Sequence, residues 1–380
     1  MSMKINLSGP DIGQAEIDAV VAVLRTPTLS LGPKLVEFET AVADYVGRRF
    51  AVAVNSGTSA LHLCLLALGL GPGDEVITTP FSFIATTNCI LMVGATPVFV
   101  DIDPVSYNID VDRIAEKITP RTRALIPVEV FGNPLGCDRA YDLARQHDLL
   151  GVEDSCEALG SVVHGRKAGT LGHVSTFAFY PNKQMTTGEG GVIVTDDERT
   201  ARLCASLRNQ GRDPGAGWLT HARLGYNFRL SEINCALGVV QLGRLEEFIA
   251  KRQRVFDWYR ERLADEPRLA LPQAPADCRV SWFVYVARLT DEFTVQQRDE
   301  VLAYLREHGI GCNNYFSPIH LQPFIVERLG CGPGDYPITE RVAQRTIALP
   351  FCNTLTADEV DAVCRTLRQG LDRLGRRGKT

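Results

Sequence analysis

Short apolar runs alternate with amphipathic segments over the first two-thirds of the chain. The apolar runs are rich in β-branched residues, which favours strands, and the segments between them carry apolar residues at helical spacing. The predicted strands are 51–54, 75–79, 97–100, 124–128, 149–153, 176–180 and 192–195. The predicted helices are 58–70, 84–92, 111–117, 138–147 and 199–207. This alternation predicts an α/β fold with a mostly parallel central sheet flanked by helices.

The pattern changes after residue 230. Apolar residues then recur on one side of a long helical segment, which predicts a single helix over 231–264 with Ser231 as its N-cap. The elements predicted after it are a strand at 281–289 and helices at 295–308 and 356–374. We therefore predict a large domain over 1–240 and a smaller α+β domain over 241–380, linked by the long helix.

Composition and charge exclude several classes of protein. The chain has 380 residues, of which 45% are hydrophobic and 22% charged, as in ordinary globular proteins. Its net charge of −5 gives no basic excess for a nucleic-acid backbone, so we expect no nucleic-acid partner. No run approaches the roughly 18 apolar residues of a membrane helix, and the first residues lack the pattern of a signal peptide. We expect a cytoplasmic protein that does not engage a membrane.

Eleven cysteines are scattered along the chain, and none forms a C-x-x-C pair. Their number is odd, and several lie inside apolar runs. Buried thiols in a reducing compartment explain this distribution better than a disulfide framework or a zinc site. We therefore expect no metal site.

The first feature that could carry chemistry is the run Ser56-Gly57-Thr58-Ser59, which follows a predicted strand and opens a predicted helix. Small residues there let backbone N–H groups and hydroxyls face an anion at the positive end of the helix dipole. An ordinary N-cap would look the same. The Walker pattern is absent, and no predicted strand leads into G-x-G-x-x-G. The monophosphate of a smaller cofactor therefore remains open.

Two further features stand at strand ends. Glu153 and Asp154 close a buried strand, at the edge where α/β sheets bind ligands. Buried carboxylates need a cation or hydrogen bonds, although Asp154 could also be a helix N-cap. Lys183 follows the strand predicted at 176–180 and is one of only seven lysines. A lysine in that position can form a Schiff base, whereas a lysine standing alone is more often a surface residue.

Together, these features match what pyridoxal 5′-phosphate requires. The lysine would bind the cofactor aldehyde as an imine, and the carboxylate would keep the pyridine nitrogen protonated. The run of small residues would hold the phosphate. Phe83 is placed to stack on the ring, although plain core packing would explain it equally well.

The chain resembles the fold-type I, pyridoxal-phosphate-dependent sugar aminotransferases of the DegT/DnrJ/StrS family over nearly its whole length. The segments that carry the resemblance are Leu31-Gly32 with Phe38-Glu39, Ser56-Gly57-Thr58-Ser59-Ala60-Leu61, Pro72-Gly73-Asp74-Glu75-Val76-Ile77, Ser82-Phe83-Ile84-Ala85-Thr86, Glu153-Asp154, Phe179-Tyr180-Pro181-Asn182-Lys183, Gly188-Glu189-Gly190-Gly191 and Gly225-Tyr226-Asn227-Phe228-Arg229-Leu230. Each motif alone is weak evidence for the family, but the occurrence of so many motifs in the family's order is specific. The resemblance implies an aspartate-aminotransferase-like fold.

The resemblance also implies a role for each matching position. Lys183 would hold the cofactor and carry the proton of the amino transfer, during which the cofactor passes through its pyridoxamine 5′-phosphate form. Asp154 would pair with the ring nitrogen. The other cofactor-binding positions implied are Gly57, Thr58, Ser59, Phe83, Glu157, Asn227 and Arg229. Asn227 and Arg229 would reach the active site of a neighbouring subunit, so the resemblance implies a homodimer with shared sites.

Four positions depart from the commoner family pattern. Ala178 stands where many relatives have a phosphate-binding serine, so Ser175 or a water is expected to take that part. Glu157 replaces a frequent glutamine, and Leu159 and Glu129 each replace a frequent histidine. These departures leave the cofactor prediction intact but leave the substrate open.

The resemblance implies an aminotransferase that moves an amino group from L-glutamate to the keto group, expected at C4, of a nucleotide-linked keto-deoxysugar. The amino sugar would serve polysaccharide or secondary-metabolite glycan biosynthesis. The expected substrate contacts are Ser30, Tyr315, His320 and Arg229. A structural role for His320 fits the sequence equally well.

Two alternatives use the same scaffold: amination at C3 and amination of a cyclitol ketone. Dehydratase relatives carry histidine at the lysine position, so Lys183 argues against sugar dehydration. A non-enzymatic sugar-binding or regulatory relative would have no need of both Lys183 and Asp154.

Overall fold

The helices and strands are defined by a computed structural model that describes residues 4–377 except 216 and 218. The α-helices are α1 (Gln14–Leu24), α2 (Pro33–Val46), α3 (Gly57–Ala67), α4 (Ala85–Met92), α5 (Cys137–Gln146), α6 (Glu198–Arg208), α7 (Glu232–Gly243), α8 (Leu245–Leu263), α9 (Val295–Glu307), α10 (Pro323–Leu329), α11 (Pro337–Ala343) and α12 (Ala357–Arg377). The strands are β1 (Phe50–Val54), β2 (Glu75–Thr78), β3 (Thr96–Phe99), β4 (Thr122–Leu125), β5 (Leu150–Asp154), β6 (Val162–Val163), β7 (Arg166–Lys167), β8 (Val174–Ala178), β9 (Gly191–Thr195), β10 (Leu269–Ala270), β11 (Cys278–Arg279), β12 (Tyr285–Leu289) and β13 (Thr346–Leu349).

A seven-stranded sheet forms the centre of the molecule, in the order β1-β9-β8-β5-β4-β2-β3. β9 runs antiparallel to both of its neighbours, and the other six strands run in one direction. Side chains alternate across the sheet, so Val52 and Val54 pack with α3, α4 and α6 while Ala53 packs with α2, α7 and the start of α8. Both faces are therefore buried under helices. This confirms the predicted α/β fold with a mostly parallel sheet.

The direction of the strands decides where a site can form. The carboxyl ends of the six parallel strands meet at one edge of the sheet, and β9 begins at that edge because it is antiparallel. The segments after β1, β5 and β8 and the glycine-rich turn before β9 are thereby brought together. Ligands of α/β sheets bind at this edge.

A second core surrounds a smaller antiparallel sheet, β10-β12-β13, together with α8, α9 and α12. Ile5, close to the start of the chain, packs into this core and pairs in parallel with Ile310. Within α8, Ile249 packs in the first core and Val255 in the second. The division between the two cores therefore falls inside α8, later than the boundary predicted at 240/241.

The long helix predicted over 231–264 is two helices, which is a correction. α7 and α8 separate at Arg244, where φ is −101° and ψ is 1°. Gly243 weakens the helix just before this point. The Arg244 guanidinium pairs with Asp11 at 3.1 Å and with Glu16 of α1 at 2.7 Å, which fixes the break.

Other predicted elements are shorter or of another type. The segment 111–117 forms two 3₁₀ turns, Val111–Arg113 and Ala115–Lys117, rather than an α-helix. The strand predicted at 281–289 begins only at Tyr285, because Ser281 bonds with its main chain to the side chains of Ser161 and Gln184. The sequence patterns predict none of α1, α2, α10, α11 and β13. Within the described residues, no helix combines the length and apolar character needed to cross a bilayer.

Candidate active site

A cavity of about 630 Å³ opens at the carboxyl edge of the central sheet. It is lined by residues from both cores: Ser56, Gly57, Thr58, Leu61, Phe83, Ala85, Thr86, Val128, Asp154, Cys156, Glu157, Ala178, Tyr180, Asn182, Lys183, Glu189, Gly190, Phe283, Tyr315 and Phe316. Most of the residues singled out from the sequence therefore face one space. It is large enough for a cofactor and part of a substrate.

Lys183 reaches the cavity from the turn that follows β8. Its backbone N–H donates to the Tyr180 carbonyl at 2.9 Å, which closes the turn. The Lys183 Nζ lies 3.3 Å from Glu157 Oε1 and 3.9 Å from the centre of the Phe283 ring. The side chain is only 13% exposed, so the amine is held inside the cavity and is not the surface lysine that the sequence left open.

Asp154 ends β5, beside β8, and is buried. Its Oδ2 accepts a hydrogen bond from Thr86 Oγ1 at 2.6 Å, and its Oδ1 accepts from the Cys156 N–H at 3.3 Å. No helix begins at Asp154 in the described chain, which removes the N-cap alternative. The carboxylate is thus oriented toward the cavity by a neighbouring hydroxyl.

Glu153, its neighbour, turns to the other face of the sheet. It accepts hydrogen bonds from the backbone N–H groups of Gly169, Leu171 and Gly172 and from the Ser155 hydroxyl. Burial raises the pKa of Glu153, and these donors act against that rise. Of the two strand-end carboxylates, only Asp154 faces the cavity; Glu153 holds the loop after β7.

Glu157 places a carboxyl directly beside the lysine. It is buried, and its Oε2 accepts from the Phe131 N–H at 2.9 Å. Burial raises the pKa of Glu157, while the Lys183 ammonium acts to lower it. Glu157 therefore places a carboxyl within hydrogen-bonding distance of the lysine amine.

Glu129 is a buried carboxyl without a hydrogen-bond partner for either oxygen among the described residues. Its backbone N–H donates to the Asp154 carbonyl at 3.4 Å, so it lies next to β5, but it does not line the cavity. Burial and, secondly, the nearby Glu153 raise the pKa of Glu129 well above its usual range. Burial and the neighbouring carboxyl therefore favour the protonated form of Glu129.

The start of α3 provides an anion site. Ser56 is the N-cap, with its Oγ accepting from the Ser59 N–H at 3.1 Å, and Gly57 and Thr58 are the first helical residues. Their N–H groups lack helical partners and stand at the positive end of the helix dipole. Ser59 instead turns its hydroxyl to Asn55 Oδ1 at 2.7 Å and lies outside the cavity lining. Ser56 takes the lining position that the sequence assigned to Ser59.

Gly57 is required by close packing. A Cβ at this position would lie 2.8 Å from the Cβ of Ala178 and 3.1 Å from the Sγ of Cys156. Only a glycine lets α3 approach the end of β8 so closely. Gly57 and Ala178 therefore pack directly against each other, with no room for a larger side chain between them.

Phe83 and Tyr315 both line the cavity. Phe83 lies in the cavity wall, and its side chain is 62% exposed, so it is not the core residue that the sequence left open. Tyr315 lines the cavity from the second core side, next to Phe316. An exposed aromatic ring in the wall of a largely apolar cavity is suited to stacking on a planar ligand.

Several predicted site residues lie elsewhere. Ser175 is buried, with its Oγ 3.4 Å from that of Ser155, and it does not line the cavity. His320 is fully buried against Glu340, at 3.1 Å, so its expected substrate contact is not formed and its place is structural. Ser30, Asn227 and Arg229 also lie outside the lining.

Asn227 and Arg229 form part of an irregular strand beside β1. Arg229 pairs with Val54 as an isolated bridge, and its Nη1 donates to Asn209 Oδ1 at 3.1 Å. Asn227 is exposed and Arg229 half-buried. Within one copy of the chain, neither side chain lines the cavity.

Sequence reasoning missed three functional positions. Thr86 lies in a motif quoted only for Phe83, and its hydrogen bond to Asp154 depends on where α4 packs. Phe283 and Phe316 lie far along the chain from Lys183 and pack with Phe131 in a separate cluster beside the cavity. The local sequence holds no signal for such long-range contacts.

The residues of this cavity fit pyridoxal 5′-phosphate. The amine of Lys183 could bind its aldehyde, the Asp154 carboxylate could pair with its ring nitrogen, and Phe83 could cover its ring. The free N–H groups at the start of α3 suit a phosphate, and Gly57 keeps this cradle close to the sheet. Fold and site together define a fold-type I enzyme that depends on pyridoxal phosphate.

Comparison with known proteins gives the same class. The model of the DegT/DnrJ/EryC1/StrS aminotransferase family matches residues 10–368. The chain is 38% identical over 370 residues to GDP-perosamine synthase of Caulobacter vibrioides, covering 97% of this chain and 98% of that protein. The chain belongs to this family and is a sugar aminotransferase that uses pyridoxal phosphate.

Further relatives agree in sequence and in structure. The spore coat polysaccharide biosynthesis protein SpsC of Bacillus subtilis is 36% identical over 369 residues, which cover 94% of this chain and 95% of that protein. The PMP form of Spr1654, a putative sugar aminotransferase from Streptococcus pneumoniae, superposes with a TM-score of 0.95 at 29% identity, covering 100% of both chains. The similarity thus extends over the whole fold.

Proposed function

We propose that the protein transfers an amino group from L-glutamate to the C4 keto group of a nucleotide-linked keto-deoxysugar. The observation that carries this proposal is the cavity in which Lys183, Asp154 and Glu157 face one another at the sheet edge. The amino sugar would serve the biosynthesis of a polysaccharide or another glycan. The relationship to a protein named GDP-perosamine synthase supports a nucleotide-linked substrate.

Within this proposal, each residue has a definite part. Bound pyridoxal phosphate supplies an electron sink that makes the carbon next to the amino nitrogen acidic. Lys183 Nζ would accept the proton from that carbon and give it back on the other side of the nitrogen, and the Glu157 carboxyl, 3.3 Å away, would stabilise the positive charge on the amine. Asp154, oriented by Thr86, keeps the ring nitrogen protonated.

The phosphate and the substrate would be held by separate groups. Ser56, Gly57 and Thr58 are the proposed phosphate donors, since they line the cavity at the start of α3. Ser175 is not proposed, because it is buried away from that space. Tyr315 is the proposed sugar contact from this copy of the chain.

We propose further that the protein acts as a homodimer in the cytoplasm. Ser30, Asn227 and Arg229 lie outside the cavity of their own copy, which is expected if they serve the site of a partner subunit. All eleven cysteines are free, as suits a reducing compartment.

The decisive experiment incubates the loaded enzyme and L-glutamate with a panel of nucleotide-linked 4-keto sugars, 3-keto sugars and free cyclitol ketones. We expect mass spectrometry to show the exchange of a keto oxygen for an amine in a 4-keto sugar. Amination of only a 3-keto sugar or a cyclitol ketone would overturn the proposed substrate.

Lys183→Ala should abolish turnover, and Asp154→Asn should keep the cofactor but lower kcat by about 100-fold or more. Wild-type rates in either variant would contradict the assigned roles.

A further inference from the structure

Arg252 on α8 is a buried guanidinium that is surrounded by main-chain carbonyl groups. It is 1% exposed, and no carboxylate within the described part of the chain pairs with it. Its Nη1 donates to the carbonyls of Trp282 at 3.2 Å and Phe283 at 2.9 Å. Its Nη2 donates to the carbonyls of Asn182 at 3.3 Å and Lys183 at 2.8 Å. One side chain thus holds two separate segments.

Both segments end in the active-site cavity. Lys183 is the lysine that binds the cofactor, and the Phe283 ring faces its Nζ at 3.9 Å. Gln184 strengthens the same link, because its Nε2 donates to the carbonyls of Glu157 and Ser281. The lysine, the ring against it and the carboxyl beside it are therefore joined through main-chain groups to α8.

Stability alone does not account for an arginine here. Burial lowers the pKa of Arg252 to about 10, which reflects the cost of keeping a charge from water without an acidic partner. Buried charges can often be replaced by apolar side chains of similar volume at little cost. A planar fork of donors, however, can reach four carbonyls at fixed angles, which no other side chain does.

We propose that Arg252 is a positioning residue for Lys183. By fixing the Lys183 main chain to that of Phe283, it holds the amine between the Phe283 ring and Glu157. The role rests on the pyridoxal-phosphate chemistry of the protein and not on the identity of the sugar or of the amino donor. Since Arg252 contacts the main chain of both segments, it also sets the distance between the lysine and the Phe283 side of the cavity.

The test uses Arg252→Lys in the loaded enzyme, with Arg252→Gln as a second variant should the first fold poorly. Arg298→Lys is the matched control, because Arg298 is also buried and its Nη1 donates to the carbonyls of Ala343 and Thr346 in the second core, away from the cavity. Three quantities are measured: the urea midpoint, the kcat and KM of the amino-donor half-reaction, and the pH midpoint of the absorbance of lysine-bound cofactor. The measurement of the pH midpoint needs no substrate, so its result can be interpreted even if L-glutamate is not the amino donor.

We expect Arg252→Lys to lower kcat by about tenfold or more while KM changes by less than about twofold, because a small misplacement of a reacting group is costly. We expect the pH midpoint to fall, since a lysine-bound imine nitrogen displaced from the Glu157 carboxylate is less favoured in its protonated form. Arg298→Lys should lose stability without either change. A wild-type kcat and pH midpoint in Arg252→Lys, or equal changes in the two variants, would overturn the proposal.

Discussion

Glu129 and Glu153 show how single residues in this molecule settle the charge of a buried pair. Glu153 receives three backbone N–H donors and a hydroxyl, whereas Glu129 receives no donor from the described residues. The ionised form needs those donors, and so the proton is held on Glu129. The pKa of Glu129 is raised well above its usual range by burial and by its neighbour.

Replacing Glu129 by glutamine should therefore stabilise the protein in a way that depends on pH. The unfolded chain releases this proton at about pH 4.3, whereas the folded chain keeps it to much higher pH. Between these two values the folded state binds one more proton, so the free energy of unfolding of the wild type falls by about 1.4 kcal/mol per pH unit relative to Glu129→Gln. Urea unfolding at pH 5.5 and pH 8.5 measures the difference.

The matched control is Glu153→Gln, which should destabilise at both pH values because it weakens four hydrogen bonds to a charged group. A difference between Glu129→Gln and wild type that is the same at pH 5.5 and pH 8.5 would show that Glu129 does not hold the proton.

The key residues differ in how far the sequence could predict them. Lys183 and Asp154 could be predicted because each directly follows a buried strand, and parallel strands end at a common edge. His320 could not be placed, since a histidine in an apolar segment looks the same whether it faces a ligand or, as here, Glu340. Ser59 could not be placed either, since Ser56, three residues earlier, caps the helix and lines the cavity while Ser59 does not.

At the scale of elements, α2 and α7 are joined by one carboxylate. Glu232, in the first turn of α7, is 1% exposed and accepts hydrogen bonds from the N–H groups of Gly32 at 3.0 Å, Lys34 at 2.8 Å and Leu35 at 2.9 Å. It thereby caps the start of α2 across nearly two hundred residues of sequence. A Cβ on Gly32 would lie 2.7 Å from Glu232 Oε2, so the cap also requires that glycine.

We expect Glu232→Ala to lower the free energy of unfolding by about 3 kcal/mol, since it leaves several N–H donors without their charged acceptor. The matched control is Glu37→Ala on the exposed side of α2, where Glu37 pairs only with Lys34 at the surface. The control should change stability by less than about 0.5 kcal/mol. Similar losses in both variants, measured by chemical denaturation, would contradict the capping role.

Periodicity predicted the strands of the central sheet well because their apolar runs are buried on both faces. It failed at 231–264, where the helical sequence pattern continues through Arg244. The helix is interrupted there, and the Arg244 side chain forms ion pairs with Asp11 and Glu16. It also failed at 111–117, where the segment is too short to tell an α-helix from two 3₁₀ turns. At 231–264 the deciding contacts, from Arg244 to Asp11 and Glu16, are distant in sequence.

At the scale of the whole molecule, the cavity is formed by segments that are far apart along the chain. The groups proposed for proton transfer come from the central sheet, while Phe283, Tyr315 and Phe316 close the cavity from the other side. Sequence patterns predicted two domains but placed their boundary before α8, because a helix that serves both cores gives no compositional break.

The proposed dimer predicts that two inactive variants restore each other. Lys183→Ala lacks the lysine of its own cavity, and Arg229→Ala lacks a group that we assign to the cavity of the partner subunit. After the two are mixed under conditions that exchange subunits, mixed dimers contain one complete site, and activity should reappear. Light scattering should give twice the chain mass for each protein alone. A mass of one chain, or mixtures that stay inactive, would contradict shared sites.

The pairing of Ile5 with Ile310 has a consequence for how the protein is made. The Ile5 N–H donates to the Gly309 carbonyl, and the Gly311 N–H donates to the Ile5 carbonyl, so the start of the chain is an integral part of the second core. Its partner is translated about 300 residues later, which at the usual speed of synthesis is roughly 15 to 60 s. Throughout that time Ile5 lacks its partner, so the second core can be completed only after the segment around Ile310 has been synthesised.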